Sequence, residues 1–515
     1  MSYDPIALGI HWDRLISIAD EIIQTLVRTA FSTNVKESYD LSCVLFDARG
    51  NSLVQGTYSS PGFTGTAPAT LVHMLECFPS EELEPGDLVM TNDPWMGTGH
   101  LFDVSVMQPV FRHGALVGYV MSITHLPDIG GAGFSATARE VYEEGLNLPV
   151  CKLARAGEFD PFILGLVRAN VRVADQTIGD LMANATCTAV GARMLVEFMD
   201  EYAIDSLKPL ADAIFGFSEK AIRAELAHIP DGLYTNRIQV EGFTEPVALA
   251  CAIRVDGSDV HIDFAGTDEA VPAGINVPMC YTRAMAWYSI KTLTTPKIPN
   301  NQGSLAPVRI DAPDNCILNA LAPFPTGGRH IIGHFVTPLI FGALAEVLPD
   351  RVQADSGMLM LMNVQGKTRE GQGVSSILFA SGGSGAFKGI DGASCTPSPS
   401  NITGTPVEVW ENLTGSVIED KSFLVDSGGA GQFRGGLGQR IHLRNDSGHP
   451  MSVACLASRT EFAPAGLNGG KPGRLREIQV NGRTVHSMGR YILAPGEAIT
   501  TLEAGGGGYG DPTRR

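Results

Sequence analysis

Apolar positions spaced by three and four open the chain. Residues 7–31 (ALGIHWDRLISIADEIIQTLVRTAF) repeat them steadily, which is the 3.6-residue period of an amphipathic helix. The period then drops to two. SCVLFDARGNSLVQG at 42–56 reads as a strand, a D-x-R-G-N turn and a second strand, and PATLVHMLECF at 68–78 returns to a helical pattern. Next come two arms rich in Val, Ile, Phe and Tyr, Asp103–Phe111 and Leu116–Ile123, joined by Arg112-His113-Gly114-Ala115. They predict a β-hairpin. From 160 to 229 the pattern is helical throughout, one or two long helices, in which small Ala183, Ala185, Ala189 and Gly191 permit close packing. Short alternating strands resume at 232–268. Helical signals follow at 279–293 and 331–349, and 350–515 is mostly β with glycine-rich turns. The regular βαβ rhythm of a parallel sheet is missing, so the expected class is α+β. It is a mixed, multi-layer chain with β-rich ends and a long-helix centre. The expected regions are 1–160, carrying the hairpin; 161–230, helical; and 231–515, mixed and packed as one unit with the rest.

Composition narrows the function classes. The 44% apolar and 18% charged content of the 515 residues is that of a globular protein, with enough chain for two or three cores or one elaborated domain. A formal net charge of −18 argues against nucleic acid or an anionic membrane, since both need a basic footprint. No run approaches the eighteen or so apolar residues of a membrane span. The start, MSYDPIALGIHWDRL, goes straight into the amphipathic pattern without a secretory signal. Nine cysteines lie singly with no C-x-x-C pair, the usage of reduced thiols in cytosol. The expected location is therefore cytoplasmic.

Glycine is the compositional outlier at 59 residues, concentrated at 130–133, 382–385, 428–438 and 505–508. Such stretches mean tight turns or close backbone approaches. Phosphate binding is the functional alternative, but no G-x-x-x-x-G-K-[ST] occurs and no G-x-G-x-x-G links a strand to a helix. GGSGAFKG at 382–389 has neither spacing.

The candidate chemistry sits at the ends of the hairpin. TNDPWMGTGHLFDVSV at 91–106 and MSITHLPDIGGAG at 121–133 hold two His-x-x-Asp pairs, His100/Asp103 and His125/Asp128, beside a lone Asp93. A hairpin returns its outer ends to one place, so the spacing predicts a cluster. Imidazole and carboxylate are ligands for zinc, manganese or iron(II). Three of the five groups would ligate and the others orient them. Structural hydrogen bonding of each His by its Asp is the alternative.

These residues also carry a resemblance. NDPW-x-G-x-G-HL-x-D at 92–103 and THLPDIGG at 124–131 resemble the hydantoinase B/oxoprolinase family. So do ESYDLSCVLFDARGN at 37–51, EEGLNLP at 143–149, IPNNQGSLAPVRIDAP at 298–313, GGAGQFRGGLGQR at 428–440 and GGGGYGDP at 505–512. Members resemble subunits of ATP-dependent lactam and hydantoin hydrolases and of ATP-dependent ketone carboxylases. The resemblance implies a metal-containing subunit of an ATP-dependent cyclic amide hydrolase, opening hydantoin, lactam or 5-oxoproline rings. ATP and magnesium would be held by a separate hydantoinase A-type partner, in a dimer of heterodimers or larger. His100, Asp103 and His125 are the expected metal ligands for zinc, manganese or iron. Asp93 and Asp128 are the expected catalytic carboxylates, as general base or water holder. A ketone carboxylase subunit and a non-catalytic scaffold are the alternatives.

Other residues have two readings each. Asp47, before Arg49-Gly50, reads as turn chemistry. Glu37 and Asp40 line the pocket or end a solvated helix. Glu143 and Glu144 cap a turn or reach the metal region. His330 and His334, four apart beside Arg329, share a helix face but lack the glutamate of H-E-x-x-H, which favours core or interface histidines. Arg434 is an anion-binding candidate or a loop arginine.

Overall fold

The computed structural model describes residues 3–515 and has the expected mixed α+β architecture. Its first sheet has seven strands: β1 (Leu41–Asp47), β2 (Ser52–Gln55), β3 (Leu88–Thr91), β4 (Asp103–Arg112), β5 (Ala115–His125), β6 (Cys151–Arg155) and β7 (Glu158–Phe159). Their order is β2-β1-β5-β4-β3-β6-β7, antiparallel throughout. The two-residue alternation of side chains decides what covers each face. Cys43, Leu45 and Val120 pack against helices Pro5–Thr29 and Ala174–Glu201. Their neighbours Val44, Phe46, Tyr119 and Met121 pack against helix Thr66–Cys77. The sheet is thus the middle of three layers, which is why β1 is buried at every position. Gly191 allows a close approach, since a Cβ there would lie 2.4 Å from the Ile22 side chain. Ala189 instead faces solvent.

The helical region resolves into three helices, Pro161–Asn170, Ala174–Glu201 and Lys208–Leu226. Asp160 caps the first of them. A four-stranded sheet follows, made of Gly232–Val240, Val247–Asp256, Asp259–Asp263 and Val308–Asp311, with the last two parallel. The largest apolar cluster draws residues from Leu88 to Met488, so one continuous core joins the hairpin, the helices and this sheet. Two further sheets form a sandwich at the C-terminal end, closed over Met360, Leu378, Trp410, Ile441, Val453 and Ile499.

The glycine-rich segments at 382–385, 428–438, 466–473 and 505–508 are stacked on one another, backbone to backbone. Gly436 donates to the Ser384 carbonyl, Gly506 to Gly436 and Gly429 to Gly506, at 2.8–2.9 Å. A Cβ on Gly383 would lie 1.8 Å from the Gly436 oxygen, and one on Gly506 1.8 Å from that of Ser384. Gly383, Gly429, Gly436 and Gly506 have no positive φ; contact distance, not turn geometry, requires glycine there. GGSGAFKG belongs to this stack.

Among the described residues, no helix is long and apolar enough to cross a membrane. All nine cysteines are free.

Candidate metal centre

Strand β4 begins at Asp103 and β5 ends at His125, and these two residues face each other in register. At the opposite end the turn is closed by His113 and Gly114, both with positive φ. Between β3 and β4, Asn92 pins the loop that presents His100 by bonding Leu101, Leu146 and Leu148. Gly99 sits at φ 105°, where a Cβ would lie 2.7 Å from the Arg329 side chain.

One ligand-type atom from each of His100, Asp103 and His125 lies within 4.8 Å of the other two, and all three residues are buried. The tautomers follow from their partners. His100 Nδ1 is 3.1 Å from the Gly327 carbonyl, and His125 Nδ1 is 2.9 Å from that of Leu126. A carbonyl only accepts, so Nδ1 carries the proton on each ring and Nε2 presents a lone pair. Both Nε2 atoms, and Oδ1 of Asp103, have no hydrogen-bond partner although they are buried. His100 Nε2 approaches Asp103 Oδ2 to 3.0 Å, but with the ring proton on Nδ1 this is a contact between lone pairs. Buried polar atoms are ordinarily satisfied. Three orphaned acceptors of the right type, converging in one place, are what a divalent cation fits.

Electrostatics agree. Burial pushes both imidazoles below their ordinary range, His125 to about 3, with Arg329 opposing a further positive charge on each. Burial alone would raise the Asp103 carboxyl, but the Arg329 guanidinium bonded to it outweighs burial and holds it ionised. Arg329 donates to Asp103 Oδ2 at 2.7 Å, Thr98 donates to the same oxygen at 2.6 Å, and the guanidinium lies 4.2 Å over the Tyr281 ring. Neutral imidazoles and an anionic carboxylate are the protonation states that metal binding needs.

The cluster opens on a cavity of about 40 Å³ that Asp40, Arg329, His330 and His334 also line. Asp40 faces it with a carboxyl raised to about 8, by burial first and then by the Asp103 charge. His330 Nε2 is a further buried orphan. Phe134 lies between the walls, its ring 5.7 Å from His100 and 6.0 Å from His330.

Asp93 and Asp128 lie outside this cavity. Asp93 accepts the backbone N–H groups of Trp95 and Met96 and the Asn147 amide, which is turn chemistry. Asp128 is fully buried but turned away, paired with Arg172 at 2.8 Å and accepting from Gly130 N–H. Asp47 accepts from Arg49 and Asn51 and closes its turn as expected. Glu37 receives Thr403 on its backbone oxygen, and Arg434 is exposed at the glycine stack. The sequence reading therefore missed the wall opposite the ligands. The GGRHIIGH run at 327–334 was its available signal: an arginine and two histidines beside a glycine pair, read as interior packing.

The hydantoinase B/oxoprolinase family profile matches residues 4–512, and the chain belongs to that family. Caprolactamase subunit beta of Pseudomonas jessenii is 29% identical over 99% of this chain and 92% of its own length. The crystal structure of the ATP-dependent caprolactamase from that organism superposes with a TM-score of 0.93 at 26% identity, over 100% of this chain and 92% of that one. The 5-oxoprolinase PfmaA of Pestalotiopsis fici is 28% identical over 99% of this chain but only 41% of its own length. The nucleotide-free structure of acetone carboxylase shares the fold, with a TM-score of 0.90 at 17% identity over 99% of this chain and 76% of that one.

Proposed function

We propose that this chain is the metal-holding subunit of an ATP-dependent enzyme that opens cyclic amides of the lactam, hydantoin or 5-oxoproline type. The observation that carries the reading is the set of three orphaned acceptors on His100, Asp103 and His125, in a chain whose relatives include a caprolactamase and a 5-oxoprolinase. Two imidazoles and one carboxylate suit zinc or manganese, and admit iron(II). Such an ion, when bound, supplies Lewis acidity at the substrate carbonyl or acidifies water toward neutrality.

The chain's own residues supply the rest. Arg329 and Thr98 hold Oδ2 of Asp103 and leave Oδ1 without a hydrogen-bond partner. Asp40, its carboxyl raised to about 8, holds a proton at neutral pH and accepts one from water in the cavity only once ionised. It takes the role expected of Asp93 or Asp128. A cavity of about 40 Å³ admits a reacting group and a water rather than a whole ring.

Unstrained amide hydrolysis coupled to ATP needs a phosphate cradle, and the sequence lacks both glycine-rich nucleotide motifs. The 5-oxoprolinase relative is more than twice this chain's share of it, and the caprolactamase relative is named a subunit. Both support a further polypeptide or domain beside this chain; the reading makes it an ATP-binding partner of hydantoinase A type, in a dimer of heterodimers or larger. The test is ATP turnover by the purified complex against a panel of lactams, hydantoins and ketones. Turnover stimulated by a cyclic amide supports the reading, and robust ATP-coupled turnover by this chain alone overturns the partner assignment. The second reading, a ketone carboxylase subunit, is favoured by the acetone carboxylase fold; ATP turnover that requires both a ketone and bicarbonate would select it.

A further inference from the structure

The turn at 326–329 supplies partners to two of the three ligands at once. The Gly327 carbonyl accepts the Nδ1–H of His100 at 3.1 Å, and Arg329 donates to Asp103 at 2.7 Å. A buried carboxylate holds that turn. Glu144 Oε1 accepts the Gly327 N–H at 2.6 Å, while Oε2 has no partner. Two glycines make room for it: a Cβ on Gly327 would lie 3.0 Å from Glu144 Oε1, and one on Gly274 3.3 Å. On its other side the Glu144 segment is tied to the loop that leaves β5 after His125. Leu146 N–H donates to Ile129, and Ala132 N–H to Glu143, each at 2.8 Å. One side chain therefore joins the loop following His125 to the turn that orients His100.

Burying a carboxyl with so few donors costs free energy. A backbone carbonyl could satisfy one N–H without that penalty. Outer partners of ligating histidines fix the tautomer and ring angle.

We propose that Glu144 is a positioning residue for the metal centre, clamping the 326–329 turn so that His100 keeps its ligating tautomer and ring orientation. This rests on the metal reading above. The test is metal affinity, measured by competition with a chromophoric chelator on the protein as purified, together with the visible spectrum of the cobalt-substituted form. Glu144→Gln keeps an acceptor at the same reach, and should bind metal within about threefold of the parent with an unchanged spectrum. Glu144→Asp withdraws the acceptor by one methylene, and should weaken binding by about ten- to a hundredfold with shifted cobalt bands. Glu144→Ala should resemble Glu144→Asp where it folds, and the Gln/Asp pair decides the matter where it does not. Equal affinity and spectra in folded Glu144→Gln and Glu144→Asp would overturn the proposal. Absence of metal from the parent protein itself would instead sink the metal reading on which it rests.

Discussion

The two His-x-x-Asp pairs have the same spacing in sequence and different fates in space. In the first, His100 and Asp103 both face the cavity, and both leave an orphaned acceptor there. In the second only His125 does; Asp128 turns to Arg172 and the Gly130 N–H. The difference lies in where each carboxylate sits relative to a strand. Asp103 is the first residue of β4, and cross-strand register with His125 sets its direction. Asp128 lies three residues beyond the end of β5, in a loop whose own backbone donors claim it. A sequence motif identifies which residue types gather at a place, and register decides which of them meet.

The largest expected effect tests the half of the comparison that both pairs share. His125→Ala should abolish product formation while the complex stays assembled, because loss of one imidazole from a three-ligand centre removes the metal or its geometry. Substrate-stimulated ATP hydrolysis should survive in part if, as proposed, the phosphorylating groups belong to another chain. An active His125→Ala enzyme would end the metal assignment.

Next comes the half on which the pairs differ. Asp128→Asn should cost stability of roughly 2–4 kcal/mol, through a broken ion pair whose carboxylate is fully buried. Thermal or denaturant unfolding would measure it, and the folded variant should keep its metal. Asp40→Asn should do the opposite, sparing the fold and removing most of the turnover. Rates that fall more in Asp128→Asn than in Asp40→Asn would restore Asp128 as the working carboxylate.

Acid stability sharpens the account of the opposite wall. Burial, followed by the Arg329 charge, pushes His334 down to about 3. The folded state therefore refuses a proton that the unfolded chain takes up below about 6.5. Stability from this group is present above that pH and is lost as pH falls toward 3. His334→Gln should reduce the loss by on the order of 2 kcal/mol at pH 5, read from unfolding curves at pH 7 and pH 5. An unchanged difference between the two pH values would show that His334 is not held neutral.

The smallest effect is the control at the far end of the hairpin. His113 is exposed at φ 51°, a conformation that asparagine also tolerates. His113→Asn should change activity and stability negligibly, within about 0.5 kcal/mol. A loss matching that of His125→Ala would mean that the hairpin matters only as a fold element.

Much of this was legible from residues alone. The β4–β5 hairpin, its turn at His113-Gly114, the long helices and the convergence of His100, Asp103 and His125 follow from periodicity and spacing, which are local properties. The opposing wall was not legible, because Arg329, His330 and His334 come from a segment more than two hundred residues away. Only the tertiary fold brings it there. Asp40 was half-legible: its position before β1 pointed to a pocket or to a solvated helix end, and burial beside Asp103 selects the pocket. The glycine stack was half-legible for a different reason, since tight turns and close backbone approaches were both open. Close backbone contact and tight turning use the same residue, and only the partner segments tell them apart.

The most direct measurement is the metal content of gel-filtered parent, Asp103→Asn, His125→Ala and Asp128→Asn proteins, determined by elemental mass spectrometry. The account predicts about one divalent ion per chain in the parent and in Asp128→Asn, and close to none in Asp103→Asn and His125→Ala. Metal retained in His125→Ala or Asp103→Asn, or lost from folded Asp128→Asn, would contradict it.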